Sequence, residues 1–355
     1  MQVHFQNVKT ISMKVLYIGD SRKMKGGIST VIKSIEKTNI WRDYKCNWLE
    51  FQINASIFIK LLYLIKGIVK GVFIVPLYDV IHFHSTPGTC MIVQLPLFLY
   101  SQLCGKKIIL HLHVGNQLYD YSEDRLFRFY VTHSDCILTL GKKWMNHLKA
   151  KFPQLDKFNY IYNSVEPYPQ SHRNCMNKKY FLFAAYFNIN KGYDTLLAAF
   201  SKFHDTKYKD WKLVLCGAGN VREVEKYIQK YNLKDDVIMP GWVEGDAKID
   251  LFKGAAAYCM TSLQEGLPMS VLESISYGVP IITTPVGCLP ELLKDNDAAL
   301  FFDYNDSDEL SRCMKLIAED PEVGDRIVRN ALEAMYNNFT TDIFVKRLDN
   351  IYRNI

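Results

Sequence analysis

Residues 261–287, TSLQEGLPMSVLESISYGVPIITTPVG, place two acidic residues eight positions apart in a strand–loop–helix–strand pattern. The apolar runs at 257–260 and 281–283 predict strands, and the residues between them predict a helix at 269–278. Pro268 fits the first turn of that helix. Two strands joined through a helix are typical of a parallel sheet.

The same alternation continues through the chain on both sides of this segment. Short apolar runs predict six strands within residues 14–162 and six within residues 180–302, with helical stretches between them. The sequence therefore predicts an α/β protein with two doubly wound, Rossmann-like domains that face each other across a cleft. Open sheets of this kind bind ligands at the carboxyl ends of their strands.

A chain of 355 residues is long enough for two domains. We predict a non-structural extension at 1–12, an N-terminal Rossmann-like domain at 13–165, a polar linker at 166–179, a C-terminal Rossmann-like domain at 180–338 and a last helix at 339–355. The linker is placed where the sequence is polar and contains two prolines. We expect the last helix to pack back across the domain interface.

The charge of the chain is unevenly distributed. Residues 1–170 contain 21 Lys and Arg against 11 Asp and Glu, whereas residues 171–355 contain 22 against 26. A basic N-terminal half predicts an anionic partner, such as a membrane surface or a phosphorylated substrate. Nucleic acid is not expected as a partner, because no nucleic-acid-binding motif accompanies the basic residues.

The sequence predicts a cytoplasmic protein. Its start does not read as a signal peptide, and its nine scattered cysteines form no C-x-x-C pair. Residues 56–76 are apolar but contain Lys60, Lys66 and Lys70, which disfavours a membrane span. Two interpretations of this segment stay open: an amphipathic helix that covers a sheet, or a basic, aromatic-bearing face that contacts anionic lipid at the inner leaflet.

The acidic pair has the chemistry of a sugar-nucleotide site. Glu265 is predicted in the loop after a strand, and Glu273 about one turn into the following helix. Gly266 gives the loop backbone freedom, and the amides at Met269–Val271 begin the helix. A nucleotide sugar needs a carboxylate for its sugar hydroxyls, N–H donors for its diphosphate and a second carboxylate for its ribose. The alternative is two solvated glutamates at an ordinary helix start.

Two glycine turns point to further phosphate contacts. Gly26 and Gly27 precede a predicted helix, whose N-terminus would suit an anion. Three basic residues lie beside this turn: Arg22, Lys23 and Lys25. The alternative is a plain strand–turn–helix connection. Gly217 and Gly219 follow a strand, but Arg222 occupies the third glycine position of the dinucleotide fingerprint, so a nicotinamide cofactor is not expected.

The stretch Glu265–Glu273 resembles the E-x7-E motif of family 4 glycosyltransferases, which are retaining enzymes with the two-domain GT-B fold. Other segments resemble the same family, and together they extend over residues 13–340. They are GVPIITTPVGCLPELL (278–293), KGYDTLLAAF (191–200), YIYNSVEP (160–167), DVIHFHS (79–85) and IILHLHVGN (108–116). The E-x7-E region is the specific part of the resemblance.

The resemblance implies a role for each matching residue. Glu265 would hold the hydroxyls of the donor sugar, Glu273 the ribose hydroxyls and Lys191 the diphosphate. His113 would lie near the donor sugar on the acceptor side, with a plain strand-end histidine as the alternative. The implied catalytic residues are Glu265, Lys191 and His113. The implied donor-binding residues are Gly26, Gly27, Gly217, Val243, Gly266, Leu267, Met269, Ser270, Val271 and Glu273. Weaker candidates are His82, His84 and His111.

The sequence departs from the family pattern at one position. The family has an arginine after a glycine shortly before the lysine, where this chain has Ala185 and Tyr186. An arginine donates bidentate, charge-assisted hydrogen bonds to phosphate, whereas a tyrosine offers one neutral donor. We hypothesise that one or more of the cations beside the first glycine turn substitute for it.

The resemblance implies an N-terminal acceptor-binding domain, a C-terminal nucleotide-sugar-binding domain, and transfer of a sugar from a nucleotide-sugar donor to a hydroxyl of a glycan acceptor with retention of configuration. The basic N-terminal half fits an acceptor carried on a lipid diphosphate, so we expect a role in cell-surface polysaccharide or capsule biosynthesis. We predict no cofactor and no catalytic metal. The D-x-D triplets at 295–297 and 306–308 fall in polar loops or at a helix start, where capping and solvation explain them. The alternatives are a sugar-nucleotide epimerase, a phosphorylase and a non-catalytic nucleotide-sugar-binding protein.

Overall fold

Each half of the chain forms a six-stranded parallel sheet with helices around it. The computed structural model describes residues 13–24, 26–53, 55–169, 179–204 and 207–355. Two compact units result, one from the residues up to Val114 with Leu118–Ile161 and Phe344–Ile355, the other from Gly115–Gln117 with Tyr162–Ile343. The predicted extension at 1–12 and residues 170–178 of the predicted linker lie outside the described residues.

The first unit contains strands β1 to β6 in the order β2-β1-β3-β4-β5-β6. The strands are β1 (Val15–Asp20), β2 (Asn47–Gln52), β3 (Val80–Ser85), β4 (Lys107–Leu112), β5 (Cys136–Thr139) and β6 (Phe158–Tyr160). The helices are α1 (Gly27–Glu36), α2 (Asn39–Asp43), α3 (Ile57–Ile74), α4 (Thr89–Leu103), α5 (Gln117–Tyr121), α6 (Arg125–His133) and α7 (Lys142–Lys151). The central strands read as continuous apolar runs because both faces of the sheet are covered.

The second unit contains strands β7 to β12 in the order β12-β11-β10-β7-β8-β9. The strands are β7 (Tyr180–Phe187), β8 (Lys212–Gly219), β9 (Val237–Gly241), β10 (Ala257–Met260), β11 (Ile281–Thr283) and β12 (Leu300–Phe301). The helices are α8 (Tyr193–Phe203), α9 (Val221–Lys230), α10 (Gly245–Gly254), α11 (Met269–Ser276), α12 (Ser307–Glu319) and α13 (Pro321–Asn338). A last helix, α14 (Thr341–Arg353), follows.

The end of α14 packs into the core of the first unit. The hydroxyl of Tyr352 is 2.5 Å from the hydroxyl of Tyr17 on β1 and 2.9 Å from Nδ1 of His82 on β3. All three side chains are fully buried. Burial of these polar atoms is tolerated because they pair with one another.

The architecture confirms the predicted fold class of two doubly wound α/β units. Each predicted strand has a counterpart whose ends lie within three residues of the predicted ends, and the predicted last helix at 339–355 corresponds to α14. The short helices α2 and α5 were not predicted. Across the described residues, none of the helices combines the length and the apolar character that crossing a bilayer would require.

Candidate functional site

The predicted site residues of the second unit lie at one edge of its sheet. β7 has β10 on one side and β8 on the other, so the strand order reverses there. Lys191 follows β7, Gly217 lies near the end of β8, Val243 follows β9 and Glu265 follows β10. The carboxyl ends of parallel strands at such a switch point form the usual ligand site of an open α/β sheet.

Lys191 and Glu265 form an ion pair at this edge. Nζ of Lys191 is 2.5 Å from Oε1 of Glu265, and the two side chains are 24% and 18% exposed. The hydroxyl of Ser262 donates a second hydrogen bond to the same carboxylate oxygen at 2.9 Å. A lysine and a carboxylate are therefore held side by side, where an incoming ligand with phosphate and hydroxyl groups can engage both.

The backbone around this pair is locked by two close approaches. Gly192 has a φ of +66°, and a Cβ there would lie 2.1 Å from the carbonyl oxygen of Thr261. Gly287 has a φ of +59°, and a Cβ there would lie 2.0 Å from the carbonyl oxygen of Gly266. Only glycine fits either position, because both the backbone conformation and the space exclude a side chain. These contacts fix the loop that carries Glu265.

The second acid, Glu273, is paired with a lysine from another helix. Nζ of Lys248 on α10 is 2.7 Å from Oε1 of Glu273 on α11, whose side chain is 17% exposed. Between the two acids, the Tyr258 hydroxyl donates to Oγ of Ser270 at 2.7 Å. Burial raises the pKa of Tyr258, and the negative charges of Glu265 and Glu273 add to this effect. Both carboxylates thus act electrostatically on one buried phenol.

At two of the predicted positions between the acids, only backbone groups can contact a ligand. The side chains of Leu267 and Val271 are buried in the core. The carbonyl of Leu267 accepts a hydrogen bond from Asn163, and that of Gly266 accepts one from the amide of Cys288. The Val271 amide already donates to the carbonyl of Pro268 at 3.2 Å, so the amides of Met269 and Ser270 at the start of α11 are the groups that an anion can use.

The remaining predicted positions of the second unit frame the same edge. Gly217 pairs with Ala185 on β7, and a Cβ at Gly217 would lie 1.9 Å from the Ala185 carbonyl oxygen. Tyr186, which stands where the family has arginine, is exposed. Val243 lies in the loop between β9 and α10 and is partly exposed. None of these three adds a charge to the site.

The predicted residues of the first unit also lie at strand ends. Gly26 and Gly27 begin α1 after β1, and a Cβ at either glycine would meet nothing within 4 Å. Open space therefore lies beside this turn, as a ligand would need. Arg22 is already engaged, since it pairs with Glu36 at 2.7 Å and with Glu50 at 3.2 Å. Its guanidinium also lies 4.4 Å from the Trp48 ring.

The engagement of Arg22 weakens its case as the substitute for the family arginine. Lys23 is exposed, and Lys25 lies outside the described residues. Lys23 therefore remains the candidate, because among the described residues no carboxylate forms an ion pair with it.

His113 ends a stack of four imidazoles. Its Nε2 is 2.7 Å from Nδ1 of His84, and its ring stacks on His111 at a centroid distance of 4.3 Å. Burial lowers the pKa of His113 to about 3. Burial, with the neighbouring histidines, lowers the pKa values of His82, His84 and His111 well below the usual value. The neutral forms of these histidines are therefore favoured.

Nitrogen atoms of His82, His84 and His111 lie within 4.8 Å of one another, close enough to consider a metal site. The rings of His82 and His84 are stacked at 4.6 Å with an interplanar angle of 29°, and those of His82 and His111 at 5.5 Å and 22°. An imidazole lone pair lies in the ring plane, so stacked rings do not aim their nitrogens at one point. The group is better described as a buried aromatic stack.

The D-x-D triplets have structural partners. Asp306 caps α12 by accepting hydrogen bonds from the amides of Asp308 and Glu309. Asp297 pairs with Arg326 at 2.9 Å.

Several residues of the site were missed by sequence reasoning. Lys248 and Ser262 contact the two acids, and Asn163 holds the loop between them. Lys248 lies on a separate helix, and its pairing depends on the packing of α10 beside α11. Asn163 and Gly287 lie in segments that resemble the family, and this resemblance was the signal from which their place in the site could have been predicted.

Comparison with known proteins decides the enzyme class. Residues 164–334 match the model of the family described as glycosyl transferases group 1. The chain is 24% identical over 308 residues to an uncharacterized glycosyltransferase of Methanocaldococcus jannaschii, a match covering 80% of this chain and 77% of the relative. The chain is a glycosyltransferase. The matched segment of this glycosyltransferase contains Lys191, Lys248, Glu265 and Glu273.

Two further proteins are similar to this glycosyltransferase over nearly its whole length. The lipopolysaccharide 1,6-galactosyltransferase of Salmonella typhimurium is 22% identical, over 94% of this chain and 99% of the relative. The crystal structure of Anabaena HepE in complex with UDP-glucose has a TM-score of 0.75 at 16% identity, over 97% of this chain and 100% of that one. The structural similarity confirms the predicted GT-B fold.

Proposed function

We propose that this glycosyltransferase is a retaining, family 4 enzyme that takes its sugar from a nucleotide-sugar donor held at the Lys191–Glu265 pair. The observation that carries the proposal is the placement of two lysine–glutamate pairs around the start of α11, at the switch point of the sheet. Glu265 would bind the sugar hydroxyls of the donor, Lys191 and the α11 amides would bind its diphosphate, and Glu273 would bind its ribose.

Charge development explains the use of these groups. As the bond between the sugar carbon and the diphosphate oxygen breaks, negative charge grows on the leaving diphosphate. The ammonium of Lys191 and the N-terminus of α11 would stabilise that charge. The acceptor hydroxyl would attack from the face that the diphosphate leaves, and the departing phosphate oxygen would take its proton. Configuration is then retained, and no separate base is needed.

We propose a uridine diphosphate sugar as the donor, with no cofactor. HepE, which shares the fold, was crystallised with UDP-glucose. We also propose that the reaction needs no metal, because the lysine and the helix amides supply positive charge where a metal would act. One acid of each D-x-D triplet is already engaged, since Asp306 caps α12 and Asp297 pairs with Arg326.

We propose a lipid-linked glycan as the acceptor, with the enzyme peripheral on the cytoplasmic face of the membrane, in cell-surface polysaccharide or capsule biosynthesis. The support is the basic first half of the chain, which suits an acceptor carried on a lipid diphosphate, and the similarity to a lipopolysaccharide galactosyltransferase.

The test is turnover of a panel of UDP-sugars by the purified chain, followed by release of UDP and by product analysis. Glu265→Gln is expected to abolish turnover, while Glu225→Gln on the exposed side of α9 makes the same chemical change away from the site and should have no effect. An isomerised nucleotide sugar as product would identify an epimerase. Donor binding without UDP release would identify a binding protein.

A further inference from the structure

Helix α3 packs onto the first unit through its smallest residues. Gly67 and Gly71 are its buried residues. A Cβ at Gly67 would lie 2.8 Å from the Phe51 ring on β2, and one at Gly71 would lie 2.5 Å from the Leu97 side chain on α4. The backbone of α3 therefore lies close against its neighbours, and glycine is required where it does.

The large apolar side chains of α3 point the other way. At 3.6 residues per turn, Phe58, Leu62, Ile65, Val69 and Phe73 lie on the side opposite the two glycines. Their exposed fractions are 68%, 52%, 49%, 53% and 73%, respectively. A surface helix of a soluble protein normally turns its apolar side inward and its polar side outward. In α3 this arrangement is reversed.

The exposed apolar surface continues onto the end of α4. The hydroxyl of Tyr100 on α4 donates to the carbonyl of Val72 at 3.0 Å, which holds the two helices together. Leu103, at the end of α4, is 85% exposed, and Leu77, just after α3, is 64% exposed. We call this surface the α3 face; it consists of Phe58, Leu62, Ile65, Val69, Phe73, Leu77 and Leu103. Apolar patches of this extent mark interaction sites.

Charge identifies the kind of partner. Residues 55–78 contain Lys60, Lys66 and Lys70 and no acidic residue. Within the described part of the chain, the ion pairs leave these three lysines without a carboxylate partner. Lys66 and Lys70 flank the α3 face, so a second copy of the chain docked on it would bring like charges together. An anionic lipid surface would accept both the apolar side chains and the lysines.

We propose that the α3 face docks the chain on an anionic lipid bilayer, with α3 lying in the plane of the interface. The apolar side chains enter the acyl boundary, and Lys66 and Lys70 extend to the headgroup phosphates. This rests on the proposed function and deepens it, because it assigns the proposed membrane contact to a defined surface of the first unit.

The experiment is sedimentation of the full chain with vesicles of phosphatidylethanolamine and phosphatidylglycerol. The triple variant Phe58→Gln, Ile65→Gln, Phe73→Gln is expected to lose at least about tenfold in vesicle affinity. The matched control is Ile238→Gln, Leu316→Gln, Tyr336→Gln, which replaces three exposed apolar side chains of the second unit and should bind vesicles like the wild type. Changing Lys66 and Lys70 to glutamine should cost about fivefold per lysine and reduce the dependence on salt.

Equal pelleting of the wild type and the apolar triple variant would overturn the proposal. So would a wild-type dimer in vesicle-free solution that the triple variant converts to monomer, since a second copy would then cover the α3 face. Circular dichroism checks that each variant folds. UDP-sugar turnover in solution separates this inference from the proposed function: turnover without vesicle binding refutes only the docking, and vesicle binding without turnover refutes only the sugar transfer.

Discussion

Lowering the pH from 6.5 to 5.5 is expected to destabilise the first unit through its histidine stack. His82, His84 and His111 are fully buried, and burial lowers the pKa of each well below the usual value of 6.5. The unfolded chain therefore binds protons in this range that the folded unit does not. Stability is present above the unfolded-state pKa and is lost as the pH falls.

The magnitude follows from the protons bound by the unfolded chain. Between pH 6.5 and 5.5, each neutral histidine of the stack costs about 1 kcal/mol of unfolding free energy. His113, whose pKa burial lowers to about 3, contributes like the other three, so the four together cost about 4 kcal/mol. Asp20 acts in the opposite direction, because burial raises its pKa to about 6 and the folded unit binds its proton first. That effect offsets about 0.7 kcal/mol, which leaves a net loss of about 3 kcal/mol.

Urea unfolding is carried out at the two pH values and monitored by hydrogen exchange of peptides from β3 and β4, so that the loss is measured for the first unit alone. His111→Leu should reduce the loss by about 1 kcal/mol, because both ring nitrogens of His111 are buried without a hydrogen-bond partner in the structure. Asp20→Asn should increase the loss. An unfolding free energy that stays constant or rises at pH 5.5 would refute the reasoning.

Two further predictions concern the second unit. Gly287→Ala is expected to cost more than about 3 kcal/mol of stability and to abolish donor binding, because its Cβ would meet the Gly266 carbonyl at 2.0 Å. Gly245→Ala has a similar φ of +62° and open space, so urea unfolding should show only the strain of about 1 kcal/mol; equal losses would contradict the steric argument. Lys248→Met should weaken donor binding by about five- to tenfold in calorimetry, because Glu273 loses the partner that orients it. An unchanged affinity would show that the pair does not position the acid.

The order of strands and helices was accessible from sequence because each buried strand reads as an apolar run of its own. The α11 segment shows this well: Pro268 marks the helix start, and the apolar spacing after it fits the observed helix. The short helices α2 and α5 escaped prediction, since five residues are too few to establish a helical period.

The partners of the site residues were less accessible. The spacing of Glu265 and Glu273 predicts their placement on one loop and helix, but the pairing of Glu273 with Lys248 arises from the packing of two helices. Which side of α3 faces solvent likewise depends on which side of the helix packs against the rest of the unit. Apolar residues alone suggest that they face inward, whereas Gly67 and Gly71 fix the opposite arrangement.

Hydrogen exchange with and without a UDP-sugar tests the central claim most directly. We predict that the donor slows exchange of the amides at 262–273 and at 188–193, where the two acids, the α11 start and Lys191 lie, and that Glu265→Gln removes this protection. Exchange rates in both segments that stay the same when the donor is added would contradict this placement of the donor site.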